Sequence, residues 1–235
     1  MARIILVGGG SSSGKSYLTR KVVEQIGEDK VTRITIDDYY KDQSKVPMEQ
    51  RITVNYDHPK AFDWELMRKQ IFDLKNDLPI DKPVYDFTVH NRSDKVEHIV
   101  PKKLVVVEGI MALVNRGLRD MGDLRIFISA TPEVRFLRRF IRDHKERGRS
   151  YENIVNQYIK TVAPMYEEIV APSANYADLI VNNDGIQNLA LEVLTCVFRR
   201  ELEMANDGLD HVATSSNEFT EDVLSSVFQE SEIKE

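Results

Sequence analysis

The chain has little of what would suit it to a disulfide scaffold, a membrane or a nucleic acid. Its 235 residues include one cysteine, Cys196, so neither a disulfide framework nor a cysteine-based metal site can form. Cys196 falls on an apolar helical repeat, which predicts a packed, inert thiol. No apolar run approaches the roughly 20 residues of a membrane-spanning helix. Met1-Ala2-Arg3 leads straight into a strand-like run, with no secretory signal ahead of it; Asn91-Arg92-Ser93 is therefore not expected to carry a glycan. Positive charge is also short: 32 Lys and Arg against 38 Asp and Glu leave a net charge of −6, unlike a general nucleic-acid binder. An Asn-Lys-x-Asp segment for reading guanine is missing. The expectation is a cytoplasmic protein with neither membrane nor nucleic acid as partner.

What the chain does have is concentrated near its amino terminus. Gly9-Gly10-Ser11-Ser12-Ser13-Gly14-Lys15-Ser16 fits G-x-x-x-x-G-K-[ST] and follows Ile4-Ile5-Leu6-Val7, which reads as a buried parallel strand. Leu18, Val22 and Ile26 then recur at helical spacing, and Gly27 stands where a helix would stop. In this strand–turn–helix context, glycines let backbone N–H groups gather round an anion, and the helix dipole adds favourable potential. Lys15 is expected to reach the β- and γ-phosphates of a nucleotide, and Ser16 to ligate Mg²⁺. The three serines stand where further glycines could be, but their hydroxyls can also donate to phosphate.

Apolar runs at Val31–Ile36, Leu104–Val107, Leu124–Ile128 and Leu179–Val181 predict further parallel strands. They alternate with helical repeats at Trp64–Leu74, after Thr131-Pro132-Glu133, over Tyr151–Thr161 and from Ile186 through Leu189, Val193 and Val197. Val84–Thr88 and Val96–Val100 read instead as a hairpin turning at Asn91-Arg92-Ser93-Asp94. The predicted class is α/β: a P-loop NTPase-type parallel β-sheet flanked by helices, with an inserted β-hairpin. One domain is expected over 1–205, the hairpin occupying 84–100. Residues 206–235 form an acidic, serine-rich tail, expected to be disordered.

In an open α/β sheet, ligands collect beyond the carboxyl ends of the strands. Lys15, Asp37 and Glu108 each follow an apolar strand run, so they are predicted to converge on one crevice. A hydroxyl attacking a γ-phosphate can pass its proton to a carboxylate, and Mg²⁺ requires oxygen ligands. Asp37 is assigned as the base and Glu108 as the magnesium-side acid, although the residues alone would allow the reverse. After Pro132, Val134, Leu137 and Ile141 form one stripe; Arg135, Arg139 and Arg142 lie on another. Arg139 and Arg142, then Arg147 and Arg149 around Gly148, suggest a lid that neutralises transferring phosphate. Arg135 and Arg138 read as solvated residues laced by Asp143 and Glu146. A nucleic-acid patch would need a recognition motif that this segment lacks.

The segments GGGSSSGKS, IDDYYKDQ, NYDHPKAFD, YDFTVHNRS, VVVEGI, RRFIRDHKERGRS, NQYIKTVAPMYEE and NYADLIV occur in this order up to about Asp184. Together they resemble the uridine kinase (uridine–cytidine kinase) family of P-loop kinases, cousins of phosphoribulokinase. The resemblance implies a homo-oligomer, a tetramer, that transfers the γ-phosphate of ATP or GTP to the 5′-hydroxyl of uridine or cytidine with Mg²⁺. It implies Asp37 as general base and Asp57 as the acid binding the ribose hydroxyls. By the same resemblance, Tyr85, Phe87 and His90 form the hairpin that receives the base, and Tyr40 is an aromatic wall beside it. Arg139, Arg149 and Gln157 complete the nucleoside contacts, while Arg142 and Arg147 face phosphate. The hairpin would thus be a nucleoside lid. A neutral imidazole offers one donor and one acceptor, which suits both uracil and cytosine; outside this motif His90 would read as an exposed turn residue. The alternatives are a related P-loop kinase acting on pantothenate or ribulose phosphate, and a non-catalytic sensor of pyrimidine nucleotides.

Overall fold

A computed structural model describes residues 1–185 and 189–208. Its strands are β1 (Arg3–Gly8), β2 (Val31–Thr35), β3 (Ile80–Asp86), β4 (Asn91–Ile99), β5 (Leu104–Glu108), β6 (Leu124–Ser129) and β7 (Leu179–Asn182). The longer helices are α1 (Lys15–Ile26), α2 (Trp64–Lys75), α3 (Pro132–Lys145), α4 (Tyr151–Gln157) and α5 (Leu189–Asp207). Five strands form a parallel sheet in the order β2-β5-β1-β6-β7, and β3 and β4 pair antiparallel as a separate hairpin. Among the described residues no helix is long and apolar enough to cross a membrane.

Alternation along the central strands divides the core into two layers. Ile4, Leu6, Val105 and Val107 pack with Met67, Ile71 and Leu74 of α2. Ile5, Val7, Val106 and Ile126 pack on the other face with Leu18, Val22 and Ile26 of α1 and with Leu194 and Phe198 of α5. Burial on both faces is why these strands are apolar throughout rather than alternating. Local caps fix the helix starts: Asp63 accepts from Leu66 N at 3.2 Å and Ser150 from Asn153 N at 3.2 Å.

The structure departs from expectation where polar residues are buried. The hairpin turns over residues 87–90, with His90 at φ +49°, and Asn91 already begins β4. Asn91 is buried; its Oδ1 accepts from Gln43 N at 2.7 Å and its Nδ2 donates to Ser44 Oγ at 2.9 Å. Those bonds hold a turn-forming residue in a strand. On α3 the expected faces are inverted. Leu137 and Ile141 are 59% and 53% exposed, whereas Arg135, Arg139 and Asp143 are buried. On α5 the inward residues are Ala190, Leu194, Phe198 and Glu201, shifted by one from the expected stripe, and Cys196 is exposed rather than packed. Glu201 can face inward because Arg3 pairs with it at 2.8 Å.

Three boundaries also move, the first being the hairpin, which begins at Ile80 and not at 84. The helix expected over 151–161 ends at Gln157 and continues as widened turns at Tyr158–Val162 and Tyr166–Val170. Pro164, with no N–H to donate, lies between them. α5 runs to Asp207, past the expected boundary at 205. Ile186 and the tail from 209 onward lie outside the described residues.

Candidate active site

The phosphate loop is shaped by two glycines with no room for a side chain. A Cβ on Gly9 (φ +135°) would lie 2.3 Å from the Ile128 carbonyl oxygen, and one on Gly14 (φ +97°) 2.1 Å from Asn183 Nδ2. Asn183, just after β7, donates to Ser13 O at 2.8 Å and steadies the loop from behind. Lys15 is buried and donates to Gly9 O and Gly10 O at 2.9 and 2.8 Å. Burial lowers its pKa to about 8, against the opposing pull of Asp37 and Glu108. The hydroxyls of Ser12 and Ser13 are buried without a protein partner. Gly9→Ala is expected to introduce about 1–3 kcal/mol of strain. Its Tm should fall by several degrees and rise far less on adding ATP than that of the native protein, as thermal melts with and without ATP will show.

At the sheet's carboxyl edge, Glu108 ends β5 and is buried. Its Oε1 accepts from Arg33 Nη2 at 2.9 Å, whereas Oε2 has no protein partner. Ser16 lines the same cavity. A hydroxyl and a carboxylate oxygen are the hard donors that Mg²⁺ takes, so these residues fit that ion. Asp37 lies in the single 3₁₀ turn Ile36–Tyr39 that follows β2. Burial raises its pKa, Asp57 and Asp38 add to the rise, and Lys15 and Arg147 oppose it.

A second cavity of about 700 Å³, including its open mouth, lies between this turn, the hairpin and α3. Tyr40 stacks on Phe62 with centroids 4.5 Å apart and meets Tyr85 at 4.9 Å. Tyr56 stacks on His90 at 5.6 Å, and the Arg147 guanidinium lies 5.4 Å from the Phe87 ring centre. Burial and the nearby Arg149 lower the His90 pKa, which favours the neutral imidazole. Burial raises the Asp57 pKa, while Arg139 and Arg149 restrain it.

Arginines close the site from α3 and the segment after it. Arg139 donates to Ser11 Oγ at 2.9 Å and to Gln157 Oε1 at 2.8 Å; Arg149 reaches the same Gln157 oxygen at 2.7 Å. The fully buried Asp143 carboxylate lies 2.8 Å from Arg142, 3.2 Å from Arg149, and 3.5 Å from both Arg139 and Arg147. Burial alone would raise its pKa, but Arg142, Arg139 and Arg147 outweigh that and hold it below the usual carboxylate range. Asp143 is therefore a buried hub, not part of a solvated lacing. Arg135 is likewise buried, its guanidinium 3.5 Å over the Tyr166 ring and its Nε bonded to Ala130 O at 3.0 Å. Arg138, also expected in solvent, lines the phosphate-loop cavity.

Ser11, Asp37, Ile110 and Arg142 line both cavities, so the two chambers meet beside the Asp37 carboxylate. The sequence agrees with that architecture. Residues 4–190 match the model of the phosphoribulokinase / uridine kinase family. The chain belongs to that family. It is 43% identical to uridine kinase of Deinococcus deserti over 196 residues, which cover 83% of this chain and 95% of that one. It is 44% identical to uridine kinase of Ligilactobacillus salivarius, with 83% and 92% covered. Its fold is similar to phosphoribulokinase from Rhodobacter spheroides, with a TM-score of 0.66, 14% identity, and 87% and 99% of the two chains covered.

The structure brings the expected residues to these two chambers, except that Arg147, expected to face phosphate, lines the aromatic chamber and not the phosphate-loop cavity. Tyr40, Asp57, Tyr85, Phe87, His90, Arg139, Arg142, Arg147, Arg149 and Gln157 line one chamber with Asp37. Ser11, Ser12, Gly14, Lys15, Ser16 and Glu108 line the other, while Gly9, Gly10 and Ser13 support the loop. Tyr56 and Ile110, which also line the aromatic chamber, carry no expectation from the sequence, and Asp143 is a buried hub where the sequence suggests a solvated partner. Tyr56 and Ile110 sit one and two residues from acids that were singled out. For Asp143 the signal was its position one turn from Arg139 on the same helix face.

Proposed function

We propose that this protein is a uridine/cytidine kinase of cytoplasmic pyrimidine salvage, transferring the γ-phosphate of ATP to the nucleoside 5′-hydroxyl to give UMP or CMP. The observation that carries this is the meeting of the phosphate-loop chamber and the aromatic chamber at Asp37. The relatives named uridine kinase supply the substrate class. The Asp57 carboxylate would accept from both ribose hydroxyls, and Tyr85, Phe87 and neutral His90 would receive the pyrimidine. Asp37 would take the proton of the 5′-hydroxyl as its oxygen attacks the γ-phosphorus and the bond to the β-phosphate oxygen breaks. Lys15, Arg142 and Arg147 would stabilise charge spread over the transferring oxygens. Held by Ser16 and Glu108, Mg²⁺ would neutralise part of the donor's charge. The homo-tetramer that the resemblance implies would have exposed apolar residues such as Leu137, Ile141, Tyr151 and Ile159 to cover.

ADP release measured over a panel of alcohols tests this function. Uridine and cytidine should give rapid release, and adenosine, pantothenate and ribulose 5-phosphate little. Release with pantothenate or ribulose 5-phosphate but not uridine would overturn it, as would binding of ATP and uridine without release. The base must be ionised to work, and burial raises the Asp37 pKa. So kcat/KM for uridine should fall with decreasing pH through a value above the ordinary carboxylate pKa of about 4. A profile flat between pH 8 and pH 4 would remove Asp37 as the base.

A further inference from the structure

The two oxygens of the Asp143 carboxylate serve different partners. Oδ1 accepts from Arg142 Nε at 2.9 Å and lies 3.5 Å from Arg147 Nη1. Oδ2 accepts from Arg149 Nη1 at 3.2 Å and lies 3.5 Å from Arg139 Nε. Arg142, held by Oδ1, lines the phosphate-loop cavity as well as the aromatic chamber, whereas Arg139 and Arg149, held by Oδ2, line the aromatic chamber together with Arg147. The carboxylate has no exposure to solvent, so it is a resident counter-ion in a place where water screens little.

We infer that Asp143 is a positioning residue that couples donor binding to acceptor binding, an inference that rests on the kinase function proposed above. Four guanidiniums converge on this one carboxylate, while Asp57 also attracts Arg139 and Arg149 and Asp37 attracts Arg147. When triphosphate oxygens engage Arg142, its pull on Oδ1 weakens, and more of the carboxylate's charge serves Arg139 and Arg149. These then hold Gln157 and the nucleoside pocket in a fixed arrangement. Arg139 also bonds Ser11 of the phosphate loop, so both chambers share a second tie. By linkage, the nucleoside must tighten donor binding by the same factor.

Titration calorimetry of uridine against the full-length protein, with and without Mg²⁺ and a non-hydrolysable ATP analogue, tests this. The native protein should bind uridine about 5- to 150-fold more tightly with the analogue present. Asp143→Asn keeps the shape and removes the charge. It should still bind each ligand alone, but with a coupling within about twofold of unity, a change that a purely structural role would not produce. If the asparagine variant does not fold, Asp143→Glu replaces it, displacing the carboxylate by one methylene; coupling reduced at least threefold is then expected. Native coupling near unity, or native-like coupling in the variant used, overturns the inference. Uridine phosphorylation without coupling removes this inference alone, whereas failure to bind uridine at all removes the proposed function with it.

Discussion

Replacing Asp37 with asparagine is expected to lower kcat for uridine about 10²- to 10⁴-fold, the usual contribution of a general base. Dissociation constants for ATP and uridine should stay within a few-fold of native. The substitution preserves shape and leaves the lining of both chambers in place. It also removes a negative neighbour that helps to keep the buried Lys15 protonated, so the dissociation constants are compared at a pH well below the Lys15 value of about 8. Steady-state rates with saturating ATP and uridine, beside calorimetry for each ligand, separate loss of the proton acceptor from loss of the site. Turnover close to native in Asp37→Asn would take this residue out of the chemistry.

Deoxyuridine is expected to be a poor substrate, with kcat/KM about 10⁴-fold below that of uridine. A site built to bond a hydroxyl rejects the analogue lacking it, because the buried partner is left unpaired. In the proposed site that partner would be Asp57, for which burial is the chief cause of a raised pKa. Arg139 and Arg149 favour its ionised form, which accepts from a diol but cannot donate. Uridine and deoxyuridine compared under identical conditions give the ratio directly, and a ratio below tenfold would show that Asp57 does not read the ribose. Asp57→Ala should lower activity on uridine far more than on deoxyuridine, narrowing the gap.

Much of this site was legible in the sequence because its acids follow apolar strands and its anion cradle is a contiguous motif. Strand identity came from unbroken runs such as Ile4–Val7 and Leu104–Val107, which only a sheet covered on both faces explains. The illegible parts are those where tertiary contacts reverse a local rule. Asn91 looks like a turn residue until Gln43 and Ser44 are seen to satisfy its amide. The apolar residues of α3 predict an inward stripe, yet Arg135, Arg139 and Asp143 face inward because they neutralise and bond one another or stack on Tyr166. Burial of a charge depends on its partners, and spacing along one helix shows only some of them. The role of Asp143 needed Arg147 and Arg149, which lie beyond the end of α3.

The most direct test follows the γ-phosphoryl group itself. With γ-labelled ATP, Mg²⁺ and uridine, the label should appear on the 5′-oxygen of UMP in one-to-one stoichiometry with ADP, with little label in inorganic phosphate. Label released chiefly as phosphate, or retained in ATP while uridine is bound, would contradict a shared gap in which Asp37 faces both substrates.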